Sequence, residues 1–213
     1  TKEWRQVFVT DKVSNFNFLA TGGQNGAGTH FPLYLYNDDS RIPNINNTIW
    51  KKVDANIGYH ATEIQLFDYV YGILHSASYR KKYMEFLKGD FPKIPYPLDA
   101  KSFTHIAGIG ERLRKLHLFN NVPDELTLAI YEGDGNNEVI KIQYKQNRLY
   151  INKNQFFDNV PSDVFEFMVG DDQPALRWLK ERKNLVLSAE DICYYQQIIY
   201  VLSESKKIME ELQ

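Results

Sequence analysis

A chain of 213 residues with 43% hydrophobic, 24% charged and 14% aromatic residues has a globular composition, which excludes disorder, collagen and low-complexity structure. Its single cysteine, Cys193, excludes an internal disulfide, a cysteine-rich zinc site and an iron–sulfur cluster, and fits a reducing, cytoplasmic setting. A net charge of −2 excludes a uniformly basic coat, although a folded domain can still segregate its charges to one face.

No stretch reaches the roughly 18 to 20 apolar residues of a membrane span, and TKEWRQVFVT lacks a hydrophobic signal core, so no membrane association is expected. The chain opens on Thr1 rather than Met, which reads as a piece of something longer. Residues 5 to 36 alternate polar and apolar in short runs (QVFVT, FNFLA, FPLYLY) around TGGQNGAGTH, which predicts strands joined by a loop. From Thr62 the period lengthens: Ile64, Phe67, Val70, Tyr71 and Leu74 recur at helical steps, with Thr62 and Gln65 as a capping box, and the helix ends near His75. Ser76 and Ser78 interrupt it before YRKKYMEFLK continues helically to Gly89. Pro92, Pro95 and Pro97 then remove backbone donors and fix an extended connector, expected to dock the helices against a sheet.

Residues 99 to 117 predict a further helix with Phe103, Ile106, Leu113 and Leu116 inward and Arg112, Arg114 and Lys115 outside, weakened by Gly108 and Gly110. LTLAIYE, EVIKIQYK and RLYIN, separated by GDGNN and QN, predict three strands of an antiparallel meander. Ser162 and Pro174 mark helix starts, and Ser188 with Asp191 caps a long last helix with Ile192, Tyr195, Ile199, Leu202 and Met209 inward. The expectation is one α+β domain over 1–213, with short antiparallel β-sheet elements and a helical region. Its parts are a β-rich opening (1–60), helices (62–117), a β meander (126–152) and C-terminal helices (162–212).

Catalytic patterns fail one by one. The glycine-rich loop is followed by Thr29 and His30 instead of the Lys and Ser/Thr of a phosphate-binding loop, and Gly26 and Gly28 lack the third glycine of a dinucleotide fingerprint. His30, His60, His75, His105 and His117 never pair at i, i+4, and no GxSxG elbow exposes a nucleophile. Glu138 and Lys141 miss the E-x-K spacing of a metal-assisted nuclease, and Glu204 with Lys206 falls on a surface helix. No catalysis is expected. The distinctive feature is aromatic residues beside basic ones, as in FDYVYGILHSASYRKKYMEF, where exposed rings can pack against bases or sugars while Arg and Lys neutralise phosphates.

The runs 28-GTHFPLYLY-36, 68-DYVYGILHSASYRKKYMEFLKGDFPKIPYP-97, 112-RLRKLHLF-119, 150-YINKNQFF-157, 176-LRWLKERKNLVLS-188 and 188-SAEDICYYQQIIYVLSESKKIMEEL-212 resemble, in the same order, the C-terminal target-recognition region of type ISP restriction-modification enzymes. The stretch 68 to 97 is the most specific. The sequence departs from the family pattern at Ala77, where Pro is commoner, and at Asp171 and Asp172, where a glycine-tyrosine pair is usual. The resemblance implies a target-recognition-domain-like fold and a DNA-sequence-reading role. It also implies partner domains on the same polypeptide: a nuclease, an ATP-driven translocase and an adenine methyltransferase. AdoMet, ATP and magnesium would belong to those neighbours, because this chain carries no NPPY-like, AdoMet-glycine or helicase motif.

Double-stranded DNA is therefore the expected partner. Ser76, Ser78, Arg80, Lys81 and Lys82 at the helix break are candidates for phosphate contact, since hydroxyls and helix N-terminal amides hold phosphates. Base reading needs side chains able to make paired hydrogen bonds in the major groove. The candidates are Gln24 and Asn25 in the glycine loop, Lys145 and Arg148 at the hairpin, and Asn152, Lys153 and Asn154 after it. The alternative is a protein-interaction module that docks onto the methyltransferase part through its C-terminal helices.

Overall fold

The computed structural model describes residues 7–12, 29–37, 40–87, 89–170 and 172–212. The segment FNFLA and the glycine loop through Gly28, with candidates Gln24 and Asn25, lie outside the described residues. Strands β1 (Tyr34–Asn37) and β2 (Ser40–Pro43) pair as an antiparallel hairpin. The β-rich opening does not extend to residue 60, because a helix, α1 (Asn47–Ile57), follows. Its cap is local: the Asn46 side chain accepts from the Thr48 and Ile49 amides, and Gly58 ends the helix at φ 79°, which a Cβ would oppose. Val53 and Ile57, four residues apart, turn inward.

Helices α2 (Glu63–His75), α3 (Ala77–Leu87) and α4 (Ala100–His117) form the body of the first half. The Thr62–Gln65 capping box opens α2, and Asp99 with Ser102 opens α4 the same way. Ala77 is the first residue of α3, a position that tolerates proline because its amide has no helical partner. The proline connector is strapped to helices, not to a sheet. Asn56 of α1, Tyr69 of α2 and Tyr79 of α3 donate to the carbonyls of Pro97, Pro95 and Lys93 at 2.9, 3.1 and 3.0 Å.

Gly110 does not break α4; it lets α2 and α4 cross almost backbone to backbone. A Cβ on Gly110 would fall inside the Asp68 carbonyl, and one on Gly72 would lie 2.6 Å from the Ile106 carbonyl oxygen. Beside this crossing Arg114 forks onto buried Asp68, with Nε and Nη2 at 2.6 and 3.0 Å from its two oxygens. Burial pushes the Asp68 carboxyl up while Arg114 pulls it down, and the same bond holds the guanidinium up. The two-bond fork identifies the pair as ionised at neutral pH. Arg112 binds Glu211 and Lys115 binds Glu111, so this basic run is paired within the chain rather than offered outside it.

The second half carries a four-stranded sheet of β3 (Ile130–Glu132), β4 (Gln143–Lys145), β5 (Arg148–Tyr150) and β6 (Phe156–Asp158). The expected meander of three strands is corrected here: a fourth strand forms from YINKNQFF, and the order is β3-β6-β5-β4, all antiparallel. Gln146 and Asn147 turn β4 into β5 with φ of 51° and 59°, the left-handed pair of a two-residue hairpin. Helices α5 (Ser162–Phe165), α6 (Pro174–Lys180) and α7 (Ala189–Glu210) cover one face of the sheet. Proline opens α6, and the Ser188–Asp191 box opens α7.

Helix α7 joins the halves. Tyr195, Ile199 and Leu202 enter the sheet core, whereas Val201 and Ile208 pack with Tyr71, Ile109, Leu113 and Leu116 of the helical half. Among the described residues no helix is long and apolar enough to cross a membrane. The architecture is α+β.

Candidate nucleic-acid interface

The helix break, expected to hold a phosphate, is occupied by the protein itself. Ser76 donates to the Leu212 carbonyl at 3.1 Å, accepts from the Tyr79 amide at 3.3 Å and lies 2.8 Å from the Ser78 hydroxyl. Because the one Ser76 hydrogen goes to Leu212, Ser78 donates to Ser76. Arg80 turns back to the Leu74 carbonyl at 2.6 Å. Lys81 and Lys82 remain exposed, Lys82 with its ammonium 5.3 Å from the Tyr83 ring centroid.

Below Arg80 and Lys81 lies a cavity of about 890 Å³ between α2, α3 and α7, lined also by Met84, Met168 and Met209. These are all three methionines of the chain. Two imidazoles sit in its wall. His117 accepts from the Tyr71 hydroxyl at 2.6 Å through Nδ1 and donates to Ser205 at 2.9 Å through Nε2, an order fixed by Ser205 donating onward to the Val201 carbonyl. His75 donates from Nδ1 to the Tyr71 carbonyl at 2.9 Å. Burial lowers their pKa values to about 3 for His75 and about 4 for His117, so both are neutral, structural groups at pH 7.

The sheet presents a different surface. Cross-strand neighbours share a face. Tyr131, Phe157, Leu149 and Tyr144 form the inward row against Tyr195 and Phe165. One residue along, Ile130, Asp158, Arg148 and Lys145 form an outward row, and beyond them Glu132, Phe156, Tyr150 and Gln143 form a second. Arg148 meets Asp158 directly across the strands, with Nε 3.1 Å and Nη2 3.4 Å from its oxygens. The guanidinium stands 4.7 Å from the Phe156 ring centroid, and Tyr150 packs on the same ring at 5.0 Å. The Arg148 hydrogen bond holds the Asp158 carboxyl below the usual range.

Of the residues proposed after the hairpin, Asn152 is architectural. Its amide donates to Gln155 and to the Glu138 carbonyl, and its oxygen accepts from the Asn154 and Gln155 amides at 3.0 and 2.8 Å. Gln155 is 1% exposed and binds Asn137 in turn, so the GDGNN loop is clasped to the turn before β6. Lys153 and Asn154 are exposed beside that turn. The structure thus brings Lys145 and Arg148 together and adds Gln143, Tyr150, Phe156 and Asp158, which no sequence motif marks. The available signal was the alternation in RLY and FFD, with Leu149 and Phe157 inward.

Solved structures share this fold. An ATP-dependent Type ISP restriction-modification enzyme, LlaBIII, bound to DNA matches 84% of the chain at 20% identity and a TM-score of 0.63. A DrdV–DNA complex matches 84% at 20% identity and 0.70. A nuclease-deletion mutant of the Type ISP enzyme LlaGI, in complex with a DNA substrate mimic, matches 85% at 23% identity and 0.59. The chain spans 13%, 21% and 18% of those chains, respectively. No curated protein matches it significantly. The family match runs over residues 1–211, nearly the whole chain, and the chain belongs to the Type ISP C-terminal specificity domain family.

Proposed function

We propose that this chain selects the duplex DNA sequence at which a larger restriction-modification polypeptide acts, and that the outward face of the four-stranded sheet is its reading surface. The carrying observation is the pair of outward rows, where Lys145, Arg148 and Gln143 stand among Tyr150 and Phe156 with the packing core wholly on the opposite side. A flat array of cationic and amide donors on a rigid scaffold suits base edges, with lysines positioning the backbone. The family membership and the DNA-bound structures that share the fold support the reading.

Methylation, translocation and cleavage are assigned to neighbouring domains, with AdoMet, ATP and magnesium. Among the described residues no three His, Cys, Asp or Glu side chains converge on a metal position. With a net charge of −2, the isolated chain binds DNA weakly, and its neighbours supply affinity. Selection of bound duplexes from a randomised pool tests the role: enrichment of one motif is expected, and a flat pool rejects it. A second reading is favoured by the cavity lined by Met84, Met168 and Met209, since methionine surfaces adapt to apolar partners. In that reading the α7 side docks onto the methyltransferase part. Met209→Glu would then weaken assembly with that part while leaving sequence preference intact.

A further inference from the structure

Resting on the DNA-reading role above, we propose that Arg148 recognises a guanine in the target and that Asp158 and Phe156 are the residues that aim it. A guanidinium carries five N–H donors in one plane. Asp158 engages the Nε edge at 3.1 and 3.4 Å, and the Phe156 ring lies 4.7 Å from the guanidinium carbon. Tyr150 adds a side-chain hydrogen bond to the same guanidinium, and the terminal Nη1–Nη2 edge, which Asp158 leaves unengaged, is the two-pronged donor.

Guanine matches that fork, because O6 and N7 are adjacent acceptors in the major groove. Adenine places an amino donor beside its N7, cytosine offers an amino donor, and thymine sets a methyl group beside its O4, so each leaves a prong unmatched. A free arginine on a strand would lose rotamer freedom on binding; the carboxylate and the ring remove much of that loss beforehand. The same pairing argues against a phosphate contact. A guanidinium neutralised by Asp158 keeps its direction but loses its long-range pull on the backbone, and Lys145, in the next strand of the same row, retains an exposed ammonium for that purpose.

The test uses the complete polypeptide that carries this chain, selecting from randomised duplexes as wild type, Arg148→Lys and Asp158→Ala. Wild type is expected to enrich a motif containing a guanine. Arg148→Lys keeps the charge but not the fork, and should reduce preference at that guanine by about tenfold or more with the other positions unchanged. Asp158→Ala should blur the same position with the melting temperature lowered by a few degrees at most. Replacing that guanine by 7-deazaguanine, which lacks the N7 acceptor, should weaken wild type more than Arg148→Lys, whose ammonium lacks the planar fork. A motif unchanged in Arg148→Lys, a change at a base other than guanine, or a sharp guanine in Asp158→Ala would each overturn the assignment while leaving the DNA-reading role standing. A wild type that enriches no motif would overturn both.

Discussion

In the helical half Arg114 forks onto Asp68 beneath a helix crossing, Arg112 reaches Glu211, and Arg80 turns back to the Leu74 carbonyl. In the sheet half Lys145, Arg148 and Lys153 stand exposed, and the one that is paired is held by a neighbour on its own surface. Both halves are rich in basic residues. In the helical half Arg112 and Arg114 join elements that are distant in sequence while Arg80 folds back on the preceding turn, and on the sheet Arg148 is an oriented surface group. A basic cluster in a sequence therefore marks a DNA contact only where the fold does not first claim it.

Four measurements can break or sharpen that contrast. The largest effect is expected from Asp68→Ala, which leaves Arg114 without its buried partner and should cost about 3 to 5 kcal/mol of unfolding free energy in denaturant titration. The equivalent change on the sheet, Asp158→Ala, should cost no more than about 1 kcal/mol, because surface pairs contribute little. Equal losses at the two sites would erase the distinction.

The buried imidazoles give the helical half a pH dependence. Their folded pKa values, about 3 for His75 and about 4 for His117, lie below the ordinary 6.5. The unfolded chain therefore binds more protons, and stability is lost as pH falls below that ordinary value toward the folded ones. At about pH 5 each imidazole should cost about 2 kcal/mol relative to neutral pH. Denaturant midpoints across that range should fall together, and a His75→Asn, His117→Gln double variant should flatten the slope.

Next comes the crossing of α2 and α4. Gly110→Ala should destabilise by about 3 kcal/mol, because the new methyl meets the Asp68 carbonyl rather than a flexible side chain. Gly108→Ala, two residues away on the same helix, meets nothing within 4 Å and should stabilise by up to about 1 kcal/mol. Thermal melting of the pair separates close approach from helix propensity. The smallest effect belongs to Lys81 and Lys82. Replacing both with Ala should weaken all duplexes alike and lower the slope of log affinity against log salt by about 2, without altering base preference.

Much of the helical architecture was legible because its signals are local. The Thr62, Asp99 and Ser188 caps each lie within three residues of the groups they satisfy, although the sequence pattern marks only the first and last as boxes. Asn46 offered the same kind of signal for α1, masked by the alternating pattern ahead of it. The strand order was not legible, since β3 passes over β4 and β5 to pair with β6, and only the completed sheet makes that choice. The same limit governed the site. Whether Arg114 or Ser76 was available depended on Asp68 and Leu212, 46 and 136 residues away, whereas Arg148 is claimed by a residue 10 positions on.

The alternation of the sheet has an evolutionary consequence. Tyr131, Tyr144, Leu149 and Phe157 hold it to the helices from one side, while eight side chains in two rows point away from everything they support. Those eight can be rewritten without disturbing a single core contact. On the reading surface proposed above, a lineage could thus drift from one DNA target to another through folded intermediates, and the outward rows would be the place to graft a new specificity.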